Sequence, residues 1–368
     1  MDERIHEHAR ILVEWSARIE AGDDVVVQVD EDAHELGVAV AAQLGEKGAN
    51  PVTVYRSGEM ERSYLSSHDG EFDQDPDHAL SLYENADSVL SLRGGRNTSA
   101  MADVDGDIRQ AYSKARMGVH EARLDTDWVA TVHPNRSLAQ QAGMAFEEYQ
   151  EFAYAAILRD WESLAEEMQR MKEILDAGSE VRLVKESTDI TMSIEDRIAV
   201  NSAASVAYDS HNLPSGEVFT APYDTEGTVL FDVPMTLNGR HVRNARLTFE
   251  DGEVVDYAAE AGEAALAEVL DTDEGARRLG ELGVGMNRGI DRFTDNILFD
   301  EKMGDTVHLA LGRSYDSNVP EGETGNDSAV HVDLITDVSG DSRMEVDGEV
   351  VQRNGRFRWE VGFSESES

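Results

Sequence analysis

The stretch from His308 to Asp333 carries metal-binding residue types at spacings that β-strands can use. His331-Val332-Asp333 lies inside an apolar run from Ala329 to Ile335. Side chains two apart in a strand leave the same face, roughly 6.6 Å apart along it. An imidazole beside a carboxylate can ligate one divalent ion or two adjacent ones. The plainer reading is the polar face of an edge strand. Upstream, Glu301 and His308 stand seven residues apart across a turn containing Gly304. His308 enters an apolar strand, and Tyr315 follows shortly after Gly312. Packing alone can also explain a buried histidine, so this second pair has two readings as well.

Two further acids occupy unusual settings. Glu217 lies in Asn212-Leu213-Pro214-Ser215-Gly216-Glu217-Val218-Phe219-Thr220-Ala221-Pro222, where Pro and Gly imply a fixed turn delivering one acid to an apolar neighbourhood. Glu281 lies in Gly280-Glu281-Leu282-Gly283-Val284-Gly285-Met286-Asn287, a glycine-spaced segment that permits close backbone approach. A buried carboxylate without a partner is costly, and a cation would supply one. The chain has no cysteine, so any metal must rest on histidines and carboxylates.

The elements that must position these residues fall into two kinds. Residues 4 to 20 have the pattern of an amphipathic helix. Val25 to Val29, Val52 to Tyr55, Ser88 to Leu92 and Trp128 to Val132 have that of short apolar strands. A helix is expected from His34 to Lys47, stopped by Gly48. Strands separated by helices imply a mostly parallel α/β sheet. No strand leads into a G-x-G-x-x-G opening a helix, which disfavours a dinucleotide fold. From Ala145 to Ala177 the pattern is helical, as one long helix or a pair, and Gly178 ends it. Beyond it the character is β-rich. Strands are expected at residues 181–184, 190–194, 229–233, 246–249, 307–311 and 330–335, with a helix near 261–270. The expected domains are therefore 1–178, α/β and closed by the helical segment, and 179–368, an α+β, β-rich domain bearing the metal site.

Composition narrows the function classes. The 368 residues include 75 acidic and 32 basic side chains, a formal net charge of -43. Only five of the basic residues are lysines. The acids are dispersed from Asp2 to Glu367 rather than clustered, as suits a surface adapted to concentrated salt. A nucleic-acid partner is disfavoured, since phosphate binding needs a local excess of Lys and Arg. No apolar run reaches the roughly 18 residues of a membrane span. The opening MDERIHEHAR is acidic and polar, so no secretory signal is expected, and the cytoplasm is the expected compartment.

Taken together, NLPSGEVFTAP, ELGVGMN, DEK followed by H-L-A-L-G-x-x-Y, and H-V-D resemble, in order, the M29 family of metallo-aminopeptidases, of the aminopeptidase T type. In the first half, Ala139 to Tyr149 (AQQAGMAFEEY) carries a fainter likeness. The resemblance implies metal ligands at Glu217, Glu281, Glu301, His308, His331 and Asp333, with Tyr315 as a catalytic hydroxyl. Glu281 is either a bridging ligand or the general base. Two divalent ions are implied, zinc or cobalt in preference to manganese, with peptides bearing a free N-terminus as substrates. A homodimer is also implied, its N-terminal domains restricting access. The Glu301-to-His308 interval varies in the family, and Lys302 offers Glu301 an ion pair instead. The alternatives are a small-ligand binding protein on the same fold, or a metal-dependent amidase or esterase.

Overall fold

The computed structural model describes residues 2–364. The chain divides into two compact units. The first runs through Arg159 and takes back Ala204–Pro214; the second comprises Asp160–Ala203 and the chain from Ser215 onward.

In the first unit, β1 (Asp24–Asp30), β2 (Asn50–Arg56), β3 (Ser88–Arg93) and β4 (Asp127–Val132) form a parallel sheet in the order β2-β1-β3-β4. A two-residue strand, Asn212–Leu213, extends it beside β4. The valines of β1 and the apolar run of β3 are buried, as strands covered on both faces require. Helices connect the strands. α1 (Glu3–Arg10) starts on Asp2, whose carboxylate caps the Arg4 N–H at 3.0 Å, and packs on α2 (His34–Lys47). Gly48 closes α2 in the left-handed region (φ 79°), where glycine costs least. Four further helices had no strong periodic signal: α3 (Gly58–Ser67), α4 (Asp77–Glu84), α5 (Gly106–Ala115) and α6 (Met117–Leu124). Their residues are largely exposed, so a wide apolar stripe is missing.

The expected helix over 145–177 is a pair, Phe146–Ile157 and Trp161–Ala177, parted at Leu158, whose ψ of 55° leaves the helical region. Asp160 starts the second helix by accepting from the Ser163 N–H. The division between units falls here, at Asp160, rather than at Gly178. The reason is packing: Trp161–Ala177 buries Leu164, Ala165, Met168, Met171 and Leu175, and it packs against strands Val200–Ser202 and β5 (Glu217–Thr220) of the second unit.

Among the described residues the second unit contains three antiparallel sheets, the smallest a two-stranded ribbon of Met235–Leu237 and Arg240–Val242. One has eight strands, from Glu253–Ala258 through Ala245–Glu250, Tyr223–Phe231, Thr188–Ser193, Glu180–Lys185, Ser342–Val346 and Glu349–Arg353 to Arg356–Phe357. Another carries the residues of interest. With β6 (Leu279–Gly285), β7 (Thr306–Gly312) and β8 (His331–Asp337), its order is β8-β7-β6-β5 and then Val200–Ser202. Every position of β6 and β7 is buried, so this sheet is the heart of the unit. No helix among the described residues is long and apolar enough to cross a membrane.

Candidate metal centre

Strand register decides which side chains meet. Gly285 on β6 pairs with Glu217, Gly283 with His308, Ala310 with both Glu281 and Asp333, and Gly312 with His331. Laterally paired residues share a face, as do residues two apart on one strand. Glu217, Glu281, His308, His331 and Asp333 therefore all project from one face of four adjacent strands.

Their ligand atoms form two groups, Glu217 with Glu281 and His308, and Glu281 with His331 and Asp333. Within each group the atoms lie within 4.8 Å of one another, and Glu281 belongs to both. Its Oε1 stands 2.9 Å from His308 Nε2 and its Oε2 3.7 Å from His331 Nε2. Glu217 Oε2 is 3.6 Å from His308 Nε2, and Asp333 Oδ1 is 3.5 Å from His331 Nε2.

Two local features prepare the site. A Cβ on Gly283 would overlap Cε1 and Nε2 of His308, so glycine there is what admits the imidazole. Gly216, at φ 116°, turns the chain into Glu217; a Cβ on it would come 2.7 Å from Asn287 Cβ. His331 Nδ1 lies 2.8 Å from the Arg313 carbonyl, to which it donates. In the neutral ring that bond leaves Nε2 as the lone-pair nitrogen aimed at the carboxylates, the arrangement of a metal-ligating histidine.

The electrostatics are those of a site whose donors suit cations. Burial raises the Glu281 carboxyl above its ordinary range, against the pull of His308. Burial opposes charge on His331, but the facing Asp333 and Glu281 carboxylates carry it up to about 9. His308 is raised as well: burial is its largest influence and works the other way, but the Glu281 hydrogen bond and carboxylate charges outweigh it. Glu217 Oε2, Glu281 Oε2, Asp333 Oδ1 and His308 Nδ1 are buried with no hydrogen-bond partner among the described residues. Buried polar atoms are ordinarily paired, so three orphaned carboxylate oxygens facing two imidazoles fit divalent metal ions.

Glu301 falls outside both groups. Its carboxylate contacts the Lys302 ammonium, which is itself buried and stands 3.4 Å from Glu217 Oε1. Tyr315 lies at the rim, its ring 5.1 Å from that of His331 and 5.8 Å from that of Phe219.

The family description "Thermophilic metalloprotease (M29)" matches residues 1–357. The chain belongs to the M29 family of metalloproteases. Divalent metal use follows from that membership and from the two carboxylate–histidine groups. This M29 chain is 26% identical to aminopeptidase AmpS of Bacillus subtilis, covering 96% of this chain and 98% of that protein. It is 28% identical to aminopeptidase T of Thermus aquaticus, over 94% of each. In three dimensions it matches wild-type AmpT from Thermus thermophilus with a TM-score of 0.84 at 25% identity, over 97% of this chain and 99% of that one.

Two contributors to the M29 site could not be given their role from the sequence alone. One is the backbone carbonyl of Arg313, whose residue type is irrelevant. The other is Gly283, whose need becomes visible only once register sets it beside His308.

Proposed function

We infer that this chain is a metal-dependent aminopeptidase that removes N-terminal residues from short peptides. The observation that carries this reading is the sharing of Glu281 between two donor groups on one sheet face, with donor atoms buried and unpaired. In the proposal Glu217, Glu281 and His308 hold one divalent ion, and Glu281, His331 and Asp333 a second. Each Glu281 oxygen faces a different histidine, which supports a bridging role for it over that of general base. When bound, two such ions acidify a water, polarise a peptide carbonyl and offer the free α-amine a place to bind.

The chain's own residues do the rest. Burial, reinforced by the charges of Glu281, Asp333 and Glu217, raises the Tyr315 hydroxyl above the ordinary tyrosine value and keeps it protonated. It is therefore a donor for the oxygen of the scissile carbonyl as that oxygen gains charge. His331 is held in one tautomer by Arg313, and His308 in one position by Gly283 and Glu281. We assign Glu301 first to holding Lys302; direct ligation by Glu301 requires that ion pair to open.

Zinc or cobalt suits a mixed histidine and carboxylate set, with manganese possible on the same ligands. A homodimer, a cytoplasmic location and adaptation to high salt complete the proposal. The last rests on the net charge of -43.

The test is hydrolysis of a leucyl peptide and leucine p-nitroanilide in molar KCl. It is run before and after chelation, with zinc, cobalt and manganese restored singly. Cleavage that stops on chelation, returns with one metal and fails on the N-acetylated peptide is the expected result. Equal cleavage of acetylated and free peptides overturns exo-specificity, and no cleavage by folded protein with any metal overturns the peptidase reading.

A further inference from the structure

The first unit has a cleft of its own, of about 710 Å³, between one face of the parallel sheet and the helices α3 to α6. The order β2-β1-β3-β4 places a topological switch point between β1 and β3, since the chain leaves β1 toward β2 on one side and β3 lies on the other. In open α/β sheets such crevices, at the carboxyl ends of the strands, are where ligands bind. Here Gln28 from β1, Arg56 from β2, and Ser91 and Arg93 from β3 form the floor.

The charge of this cleft is opposite to that of the protein. Acids outnumber bases 75 to 32 over the chain, yet Arg56, Arg93, Arg116 and Arg123 line the cleft against a single lining acid, Glu61. Arg56 has Asp30 at 3.7 Å. No carboxylate among the described residues lies within ion-pair distance of Arg93, Arg116 or Arg123. Burial lowers Arg93 and Arg123 from the ordinary guanidinium value; Arg56 repels Arg93, which Asp30 partly offsets, and Arg93 and Arg56 repel Arg123, whose guanidinium lies over the Trp128 ring at 4.8 Å. His120 also lines the wall. In a chain this acidic, four arginines sharing one nearby carboxylate, Asp30, leave positive charge that an anion would neutralise.

The floor is organised as well as charged. Gln28 Oε1 accepts from Arg56 at 3.0 Å and from Ser91 at 2.9 Å, while its amide donates to the Tyr83 hydroxyl at 2.7 Å. Tyr83 is thereby left to donate its own proton. Tyr55, Tyr64 and Tyr112 bring further rings to the walls, and Arg116 lies over the Tyr112 ring at 5.3 Å. Guanidinium forks match phosphate oxygens in pairs, and aromatic walls accept a flat ring. The volume suits a ligand of a few tens of atoms.

We propose that this cleft is a second site, which binds a small phosphorylated molecule bearing a flat ring, of the mononucleotide class. There is no glycine-rich phosphate loop; arginine side chains take its place. The site goes beyond the peptidase chemistry and needs none of its residues.

Calorimetric titration of the full chain with AMP tests it, at the lowest KCl concentration that keeps the protein folded. Adenosine, inorganic phosphate and an unblocked dipeptide are titrated in parallel. AMP should saturate one site per chain, inorganic phosphate should compete, and adenosine should bind at least about tenfold more weakly, a loss of about 1.4 kcal/mol. Replacing Arg93→Gln and Arg123→Gln together should weaken AMP by at least about tenfold and leave leucyl-peptide turnover unchanged. If that variant does not fold, AMP should still protect Arg93 and Arg123 of the unaltered protein from phenylglyoxal. Absence of saturable AMP binding, an unaffected double variant, no protection, or a dipeptide binding in place of AMP would overturn the proposal.

Discussion

A hydroxyl assists acyl transfer only while it keeps its proton, and Tyr315 is placed to keep it. Burial and the three nearby carboxylates disfavour its phenolate, although the residue is half exposed at the rim. Tyr315→Phe is expected to lower kcat by about 10²–10³ with metal content, measured by mass spectrometry, unchanged. Loss of metal together with activity would instead assign the ring to supporting His331, 5.1 Å away. His8 shows burial acting on a different group. It is fully buried in the first unit, Nε2 at 2.7 Å from Thr131 Oγ1 and Nδ1 without a partner. Burial, helped by repulsion from His133, lowers its pKa to about 3, from 6.5. The unfolded chain therefore binds this proton more readily. The stability involved is fully present above 6.5 and is lost progressively as pH falls toward about 3. Within that window each pH unit costs about 1.4 kcal/mol. His8→Asn keeps a polar partner for Thr131 and removes the titration. Denaturant unfolding at pH about 6 and about 5 should show a pH slope shallower than that of the unaltered protein by roughly that amount. An unchanged slope would place the acid sensitivity elsewhere.

At the scale of elements, the centre depends on β6 carrying glycine where a strand ordinarily carries a branched side chain. A methyl group at residue 283 occupies the volume of the His308 ring, on a strand buried at every position and unable to step aside. Gly283→Ala is expected to displace the imidazole, abolish metal retention on gel filtration and cost about 1–3 kcal/mol of folding stability. Full metal occupancy in that variant would mean that β6 and β7 separate more easily than their register implies. The same glycines explain what was legible beforehand. The His-x-Asp spacing of β8 and the apolar run of β7 announce strands, because alternation and β-propensity agree there. Gly280 to Asn287 announces only close approach, since three glycines in six residues argue against a strand interior. That close approach is to the His308 ring and the Met303 backbone, inside a strand after all. Helix α2 and its Gly48 stop were readable from local chemistry. Helices α3 to α6 were not, because their exposed faces lack apolar periodicity. Nor was the division at Asp160, which depends on what Trp161–Ala177 packs against. Glu301 shows the limit for single side chains: the sequence offered it both as a ligand and as the ion-pair partner of adjacent Lys302, and it takes the fold to show that Lys302 holds its carboxylate.

For the whole molecule the governing quantity is charge. Among the described residues the buried acids are Glu31, Glu217, Glu281 and Asp300, so the rest of the acidic excess lies at least partly in water. Many arginines are already committed to surface pairs such as Arg10 with Glu7 and Glu14, or Arg182 with Asp189. The acids outnumber the bases available to pair with them, and a net charge of -43 opposes compaction. The Debye length falls from about 10 Å at 0.1 M salt to about 3 Å at 1 M. Concentrated salt therefore removes repulsion between neighbours while leaving buried pairs largely untouched. Raising KCl from about 0.1 M to about 2 M should lift the thermal midpoint by at least about 10 °C, which for a chain of this size unfolding as one unit corresponds to roughly 8 kcal/mol. NaCl at equal ionic strength should give most of that gain, because screening depends on charge and concentration. Sucrose should give much less, because it favours compaction by exclusion without screening. A midpoint that responds equally to sucrose and KCl would identify the benefit as exclusion. One that stays flat in KCl would mean the dispersed acids are already compensated at low salt, and the proposal of adaptation to high salt would fail.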